Sequence, residues 1–208
     1  NLSNNTIIIF TSDHGEEFFE HGAHSHWRLY DEHIHVPLII MLPEKINKKI
    51  KEEVRLIDLT PTILDILNIK YDPVNYQFQG VSLIPLLKNK DIDLDIYSET
   101  SFPIYSFNSY SLVMKDNWKY IFSNLTNSKL KYLYGQDIAK ELFDLSEDPK
   151  EKLNLFNTNH SIFIPIEEKV KTIQRENKRL NSILNQGRGY VETDKETLEK
   201  LKALGYIS

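Results

Sequence analysis

The 208 residues include no cysteine, so no disulfide and no thiolate metal site can form within the chain. That absence leaves the compartment open, since exported proteins also manage without cysteine. No apolar run approaches the ~18 residues that a membrane span needs. No secretory leader opens the chain, which starts Asn1-Leu2-Ser3-Asn4-Asn5-Thr6; in a part of a longer protein that carries no weight. Positive charge is in deficit: 25 Lys and Arg against 30 Asp and Glu give a formal net charge of −5. A general nucleic-acid binder needs a basic face, so that class is set aside. An anionic substrate is not, because one cation or metal can dominate a local site. No internal repeat and no low-complexity tract occurs. Sequons at Asn1, Asn4, Asn124 and Asn159 are explained by chance in a chain this rich in Asn.

What is present suits a globular protein. Hydrophobic residues make up 40% and charged residues 26%, enough for a packed core in one large domain or one domain with an appendage. Thr6 to Phe10 is a short β-branched run and reads as a buried strand. Asp13 and His14 follow at its carboxyl end, where open α/β sheets gather ligands. His35 to Leu42 reads as a second buried strand with Pro37 near its start. Thr60 and Pro61 predict a helix start, with Asp58 capping that helix. Ser111 to Met114, Trp118 to Phe122 and Glu141 to Leu145 predict three strands of a small antiparallel sheet. Glu99 reads as a structural or rim residue, and Asp148-Pro149 as a turn. From about Phe163 the apolar spacing becomes helical, and Leu198, Leu201 and Leu204 mark a short last helix before Gly205.

Six of the seven histidines fall between His14 and His35. They are His14, His21, His24, His26, His33 and His35, and Asp13, Glu16, Glu17, Glu20, Asp31 and Glu32 share the window. Imidazole and carboxylate together suit a divalent cation and the stabilisation of an anionic ester. A solvated surface loop has the same composition. Glu16 and Glu17 also suit the first turn of a short helix, and His33 and His35 also suit packing or solvent contact. Context sharpens the signal: a buried strand, then Thr11-Ser12-Asp13-His14-Gly15-Glu16, then Glu20-His21-Gly22, Leu29-Tyr30-Asp31-Glu32 and His35-Val36-Pro37-Leu38-Ile39.

In that order these segments resemble the sulfatase family of the alkaline phosphatase superfamily. Ile57 to Thr62 is similar to the family's Asp-x-x-Pro-Thr helix start. Gly80 to Leu87 is similar to its Gly-x-Ser-Leu-x-Pro-Leu-Leu segment. Glu141 to Leu145, with Asp148, Pro149, Glu151 and Asn154, follows its Glu-Leu-Tyr-Asp-Leu segment, and Leu201 to Ile207 its usual ending. The resemblance implies an α/β fold: an incomplete doubly wound, alkaline-phosphatase-like sheet over residues 1–100, then a subdomain over 101–208 with a small antiparallel sheet and helices. It implies hydrolysis of a small-molecule or carbohydrate sulfate ester in the periplasm or outside the cell. It implies one divalent metal, most often calcium, with Asp13 and His14 as two of its ligands. His14 stands where Asn is common, and imidazole tilts the preference toward zinc, manganese or magnesium. The family places a Lys or His before its Leu-Tyr-x-Glu segment to meet the sulfate and the leaving oxygen; His26 matches that spacing, with His24 as the alternative and Arg28 as a further anion contact. The formylglycine motif Cys/Ser-x-Pro-x-Arg and an Asp-Asp pair are both absent, so on this reading the chain starts in mid-domain and is inactive alone. Related phosphoryl-transfer enzymes share the Asp-His turn, and an added His ligand would point to them.

Overall fold

The computed structural model describes residues 5–22, 24–26, 28–44, 46–71, 78–102, 107–114, 116–125, 140–158, 160–185, 196–197 and 199–200. The chain forms two compact units, Asn1–Ile166 and Glu167–Ser208. In the first, β1 (Ile8–Phe10) pairs antiparallel with β4 (Ile39–Met41). β4 is shorter than the predicted 35–42 strand. Pro37 has no N–H to offer the ladder, so pairing starts beyond it. Residues directly opposite share a face, and the register Ile8–Met41 and Phe10–Ile39 puts these four on one side. That side is open: Ile8, Phe10, Ile39 and Met41 are 50%, 59%, 61% and 42% exposed. The expected burial of both strands is not met on that side of the ribbon, while Ile9 and Ile40 on its other side are half-buried.

Between these strands lies a hairpin of β2 (Glu17–Phe18) and β3 (His24–Ser25), followed by the short helix α1 (Asp31–Ile34). Farther on, a 3-10 turn (Leu56–Asp58) leads into α2 (Leu59–Ile66). Thr60 lies inside α2 rather than at its cap. Asp58 does not cap the helix with its side chain. Its buried carboxylate instead accepts from Arg55 N (2.9 Å), Arg55 Nη2 (2.8 Å) and Val81 N (2.9 Å). It thus ties the helix start to the segment that leads into α3 (Ile84–Leu87).

A four-stranded antiparallel meander follows: β5 (Ile96–Phe102), β6 (Phe107–Val113), β7 (Trp118–Leu125) and β8 (Lys140–Asp144). β5 was not predicted; Ser98-Glu99-Thr100-Ser101 lacks an apolar face. Glu99 is exposed on it and accepts from Tyr97 Oη (2.7 Å). Register lines up Leu112, Tyr120 and Leu142, all fully buried, in one row across the sheet. The start of α4 (His160–Asn185) covers that side, with Phe163 edge-on to Tyr120 at 5.3 Å. The neighbouring rows point to the other side, where Ile121 and Phe143 pack with Leu29 and Tyr30. The sheet therefore backs the segment that leads into α1. Tyr30 Oη donates to Glu141 Oε1 (2.8 Å), and fully buried Lys119 pairs with Asp31 (2.8 Å) and Glu151 (2.6 Å).

In the second unit, residues 167–185 continue as helix with exposed ion pairs such as Arg179–Glu176. The predicted last helix shows at residues 196–197 and 199–200; Leu198, Leu201 and Leu204 lie outside the described residues. Among the described residues no helix is long and apolar enough to cross a membrane.

Candidate active site

The turn after β1 is shaped by Gly15. Its N–H donates to His33 O (2.8 Å), and a Cβ there would lie 2.1 Å from Glu32 O. Only glycine lets this backbone approach α1 so closely. The turn ahead of it projects outward, leaving the Asp13 and His14 side chains 86% and 47% exposed. His14 N–H donates to Asp13 Oδ1 (3.0 Å) and Ser12 Oγ to His14 O (2.7 Å). The backbone hydrogen bond from His14, helped by the His14 ring, holds the Asp13 carboxyl below the usual range. His14 Nδ1 lies 2.9 Å from Gly15 O. A carbonyl only accepts, so Nδ1 carries a proton, which in the neutral ring leaves the lone pair on Nε2. That lone pair sits 3.8 Å from Asp13 Oδ2. The sequence-predicted pair is thus brought together, one oxygen beside one imine nitrogen.

The hairpin delivers the next groups. Its register sets Glu17 opposite Ser25 and Phe18 opposite His24, and Glu16 meets His26 one step farther, Nδ1–Oε2 3.1 Å. Side chains alternate along a strand. Glu16, Phe18, His24 and His26 therefore share the outer face, while Glu17 points inward and is fully buried. His26 stacks on His14, ring centroids 4.5 Å apart. The donor atoms of His14, Glu16 and His26 all lie within 4.8 Å of one another. His24 stands beside Phe19 instead, rings edge-on at 5.5 Å. Of the two predicted acid candidates, the fold brings His26 and not His24 to the Asp13–His14 turn.

Under the hairpin lies a group that the sequence does not announce. Glu17 takes Arg28 in a bidentate grip, accepts from His21 N (2.8 Å), and has His33 Nε2 at 3.6 Å. Arg28, predicted as a contact for an external anion, meets this internal one. Nothing in the pair Glu16-Glu17 distinguishes the two; the pleat does. His33 is buried and His35 is exposed against Asp31. Trp27 lies outside the described residues. His21 stacks flat on Tyr30 at 3.7 Å with Nε2 3.5 Å from Glu32 Oε2, and burial lowers its pKa. His21, Glu32 and Glu151 form a second cluster of donor atoms within 4.8 Å. Lys119 Nζ already lies 2.6 Å from Glu151 there, so the cluster holds its own cation.

Known proteins resemble this chain in sequence and fold. The family model described as "N-sulphoglucosamine sulphohydrolase, C-terminal" matches residues 19–178. Arylsulfatase K of Gallus gallus is 34% identical over 194 residues, covering 88% of this chain and 32% of that protein. Arylsulfatase K of Homo sapiens is 32% identical over 181 residues, covering 83% of this chain and 32% of that protein. Among solved structures, a protein in complex with its substrate D-glucosamine-2-N,6-O-disulfate is 27% identical with a TM-score of 0.62, covering 85% of this chain and 35% of that one. The phosphonate monoester hydrolase of Agrobacterium radiobacter shares the fold at 21% identity and a TM-score of 0.63, covering 83% of this chain and 36% of that one. The chain spans about a third of the length of these relatives. With residues 19–178 matched by that family model and relatives of 32–34% identity covering more than four fifths of it, the chain belongs to the sulfatase family, to the C-terminal portion described as "N-sulphoglucosamine sulphohydrolase, C-terminal".

Proposed function

We propose that this chain is the C-terminal part of a sulfuric ester hydrolase acting on a sulfated sugar, with Asp13 and His14 holding a divalent cation and His26 serving as the acid. One observation carries the reading: Asp13 Oδ2 and His14 Nε2 stand exposed side by side, 3.8 Å apart, with His26 stacked on the same imidazole. The donor set fits a cation. It offers a carboxylate oxygen, an imine nitrogen fixed by its Nδ1 contact, and the Glu16 carboxylate close by. Carboxylate oxygen suits calcium; the imidazole admits zinc, manganese or magnesium. Bound there, the cation would neutralise charge on the ester oxygens. His26 would give its proton to the leaving alkoxide, its ring oriented by Glu16. His24 is the reserve candidate, one register step along the same face. The nucleophile of this mechanism is a formylglycine outside these 208 residues. A sugar as the alcohol is supported by the solved relative at 27% identity whose substrate is a glucosamine disulfate.

The test uses the full-length protein containing this chain, assayed for sulfate release from glucosamine 6-sulfate before and after chelation. Activity should vanish on chelation and return with metal, and His26→Ala should cost about 10²–10⁴-fold in kcat. Full activity and unchanged metal affinity in Asp13→Ala would end the reading. A second reading, phosphoryl transfer, is favoured by one observation: His26 joins His14 and Glu16 in a three-donor group. Faster turnover of phosphate or phosphonate esters than of sulfate esters would establish it.

A further inference from the structure

We propose that Phe18 is the platform on which the sugar ring of the substrate stacks, with Phe19 as its flank. The inference rests on the sulfate-ester reading and names the part of the site that would recognise the alcohol. Phe18 and Phe19 are 74% and 66% exposed, adjacent, at the tip of a hairpin whose buried residue is a glutamate. This reverses the ordinary use of a strand, which turns its aromatic inward and its charge outward.

Three observations aim the ring at a ligand. First, Phe18 shares its face with Glu16, His24 and His26, since cross-strand partners and alternate residues point the same way. Phe18 follows Glu16 by two residues, which is roughly 6.8 Å along a strand. That is comparable to the reach from an ester sulfur to the pyranose carrying it. Second, Phe19 holds a φ of 71°. A bulky residue reaches that region only where the surroundings impose it, and such strain gathers at ligand sites. Here Gly22 N donates to Phe19 O (3.1 Å), and the Glu20 carboxylate accepts from Phe18 N. Third, the tip is tied down: Lys152 Nζ donates to Glu20 O, and Phe19 braces His24 edge-on. The backbone that carries the platform is tied down before any ligand arrives. An aromatic face is electron-rich and attracts the weakly positive C–H face of a sugar ring, while the sulfate would extend toward the histidines.

The test measures kcat/KM of the full-length protein for glucosamine 6-sulfate and for ethyl sulfate, which has no ring. In Phe18→Ala the ratio of the two should fall about 10-fold, chiefly through KM for the sugar. Phe18→Trp should restore it. An unchanged ratio, as when other polypeptide covers the ring, overturns the proposal. So does failure of Phe18→Trp to restore a lowered ratio. Saturation-transfer NMR separates this outcome from failure of the sulfatase reading. If the wild type cleaves no sulfate ester, glucosamine 6-sulfate should still receive saturation from the wild type and not from Phe18→Ala. Equal transfer in both overturns the platform whatever the enzyme's reaction.

Discussion

Glu17 and Arg28 meet across the base of the hairpin, Oε1 to Nη2 at 2.5 Å and Oε2 to Nε at 3.1 Å. The carboxylate is fully buried and the guanidinium 18% exposed. Arg28 Nη2 also donates to His21 O (2.9 Å). Two residues 11 apart thus close the loop that carries both candidate acids, His24 and His26. A charge pair is costly to desolvate, and it is tolerated here because its lone pairs and protons are nearly all used.

Breaking that pair should unfold the hairpin. Glu17→Ala leaves Arg28 without its counter-charge and should cost about 3–5 kcal/mol in urea denaturation. Phe18→Ala, one residue away on the open face, should change stability by less than about 0.5 kcal/mol. Equal losses for both would contradict the assignment of faces.

Gly15→Ala should displace the Asp13–His14 turn, because the new methyl would sit 2.1 Å from the Glu32 carbonyl oxygen. The expected signature is a metal affinity lowered together with the melting temperature. Titration calorimetry and a thermal scan on the full-length protein check it.

Metal preference should follow His14. Replacing it by Asn removes the imine nitrogen and supplies an amide oxygen, so the ratio of calcium to zinc affinity should rise. Asp13→Ala should weaken both by more than the ~10–100-fold that loss of an outer partner costs. Equilibrium dialysis against each metal distinguishes the two changes.

Glu151 predicts a pH dependence. Burial pushes its carboxyl up to about 7 from 4.5, reinforced by the Asp31 charge and opposed by Lys119 and the Asp31 N–H. The folded state therefore binds this proton more tightly than the unfolded chain. Its contribution is complete below pH 4.5 and disappears as pH rises through about 7. Between pH 5 and 8 the wild type should lose roughly 1–3 kcal/mol relative to Glu151→Gln. His21 acts oppositely, since its lowered pKa costs stability as pH falls; a parallel series on His21→Gln separates the two. Parallel melting curves against pH would refute the effect.

Much of this was legible in the sequence where local chemistry decides the outcome. The β-branched run before Asp13, the strands around the turn at Asn117, and the long helix from His160 all carry their period in the residues themselves. His26 is preferred to His24 in the sequence only through the resemblance to the sulfatase family and its spacing to Leu29; the fold sets it beside His14. What escaped the sequence is set by partners far along the chain. β5 is polar and exists because β6 pairs with it. Asp58 looked like a cap, and its oxygens go instead to Arg55 and Val81. Glu17 looked equivalent to Glu16 until pairing with Ser25 turned it inward.

The tight alternation of this hairpin has a bearing on how its tip can vary. A slip of β2 by one residue against β3 would move every side chain of β2 to the opposite face. Glu17 would then swing toward water and a phenyl ring would enter the Arg28 pocket. Related chains that keep this chemistry should therefore keep the pairing of these two strands, whatever the length of the tip.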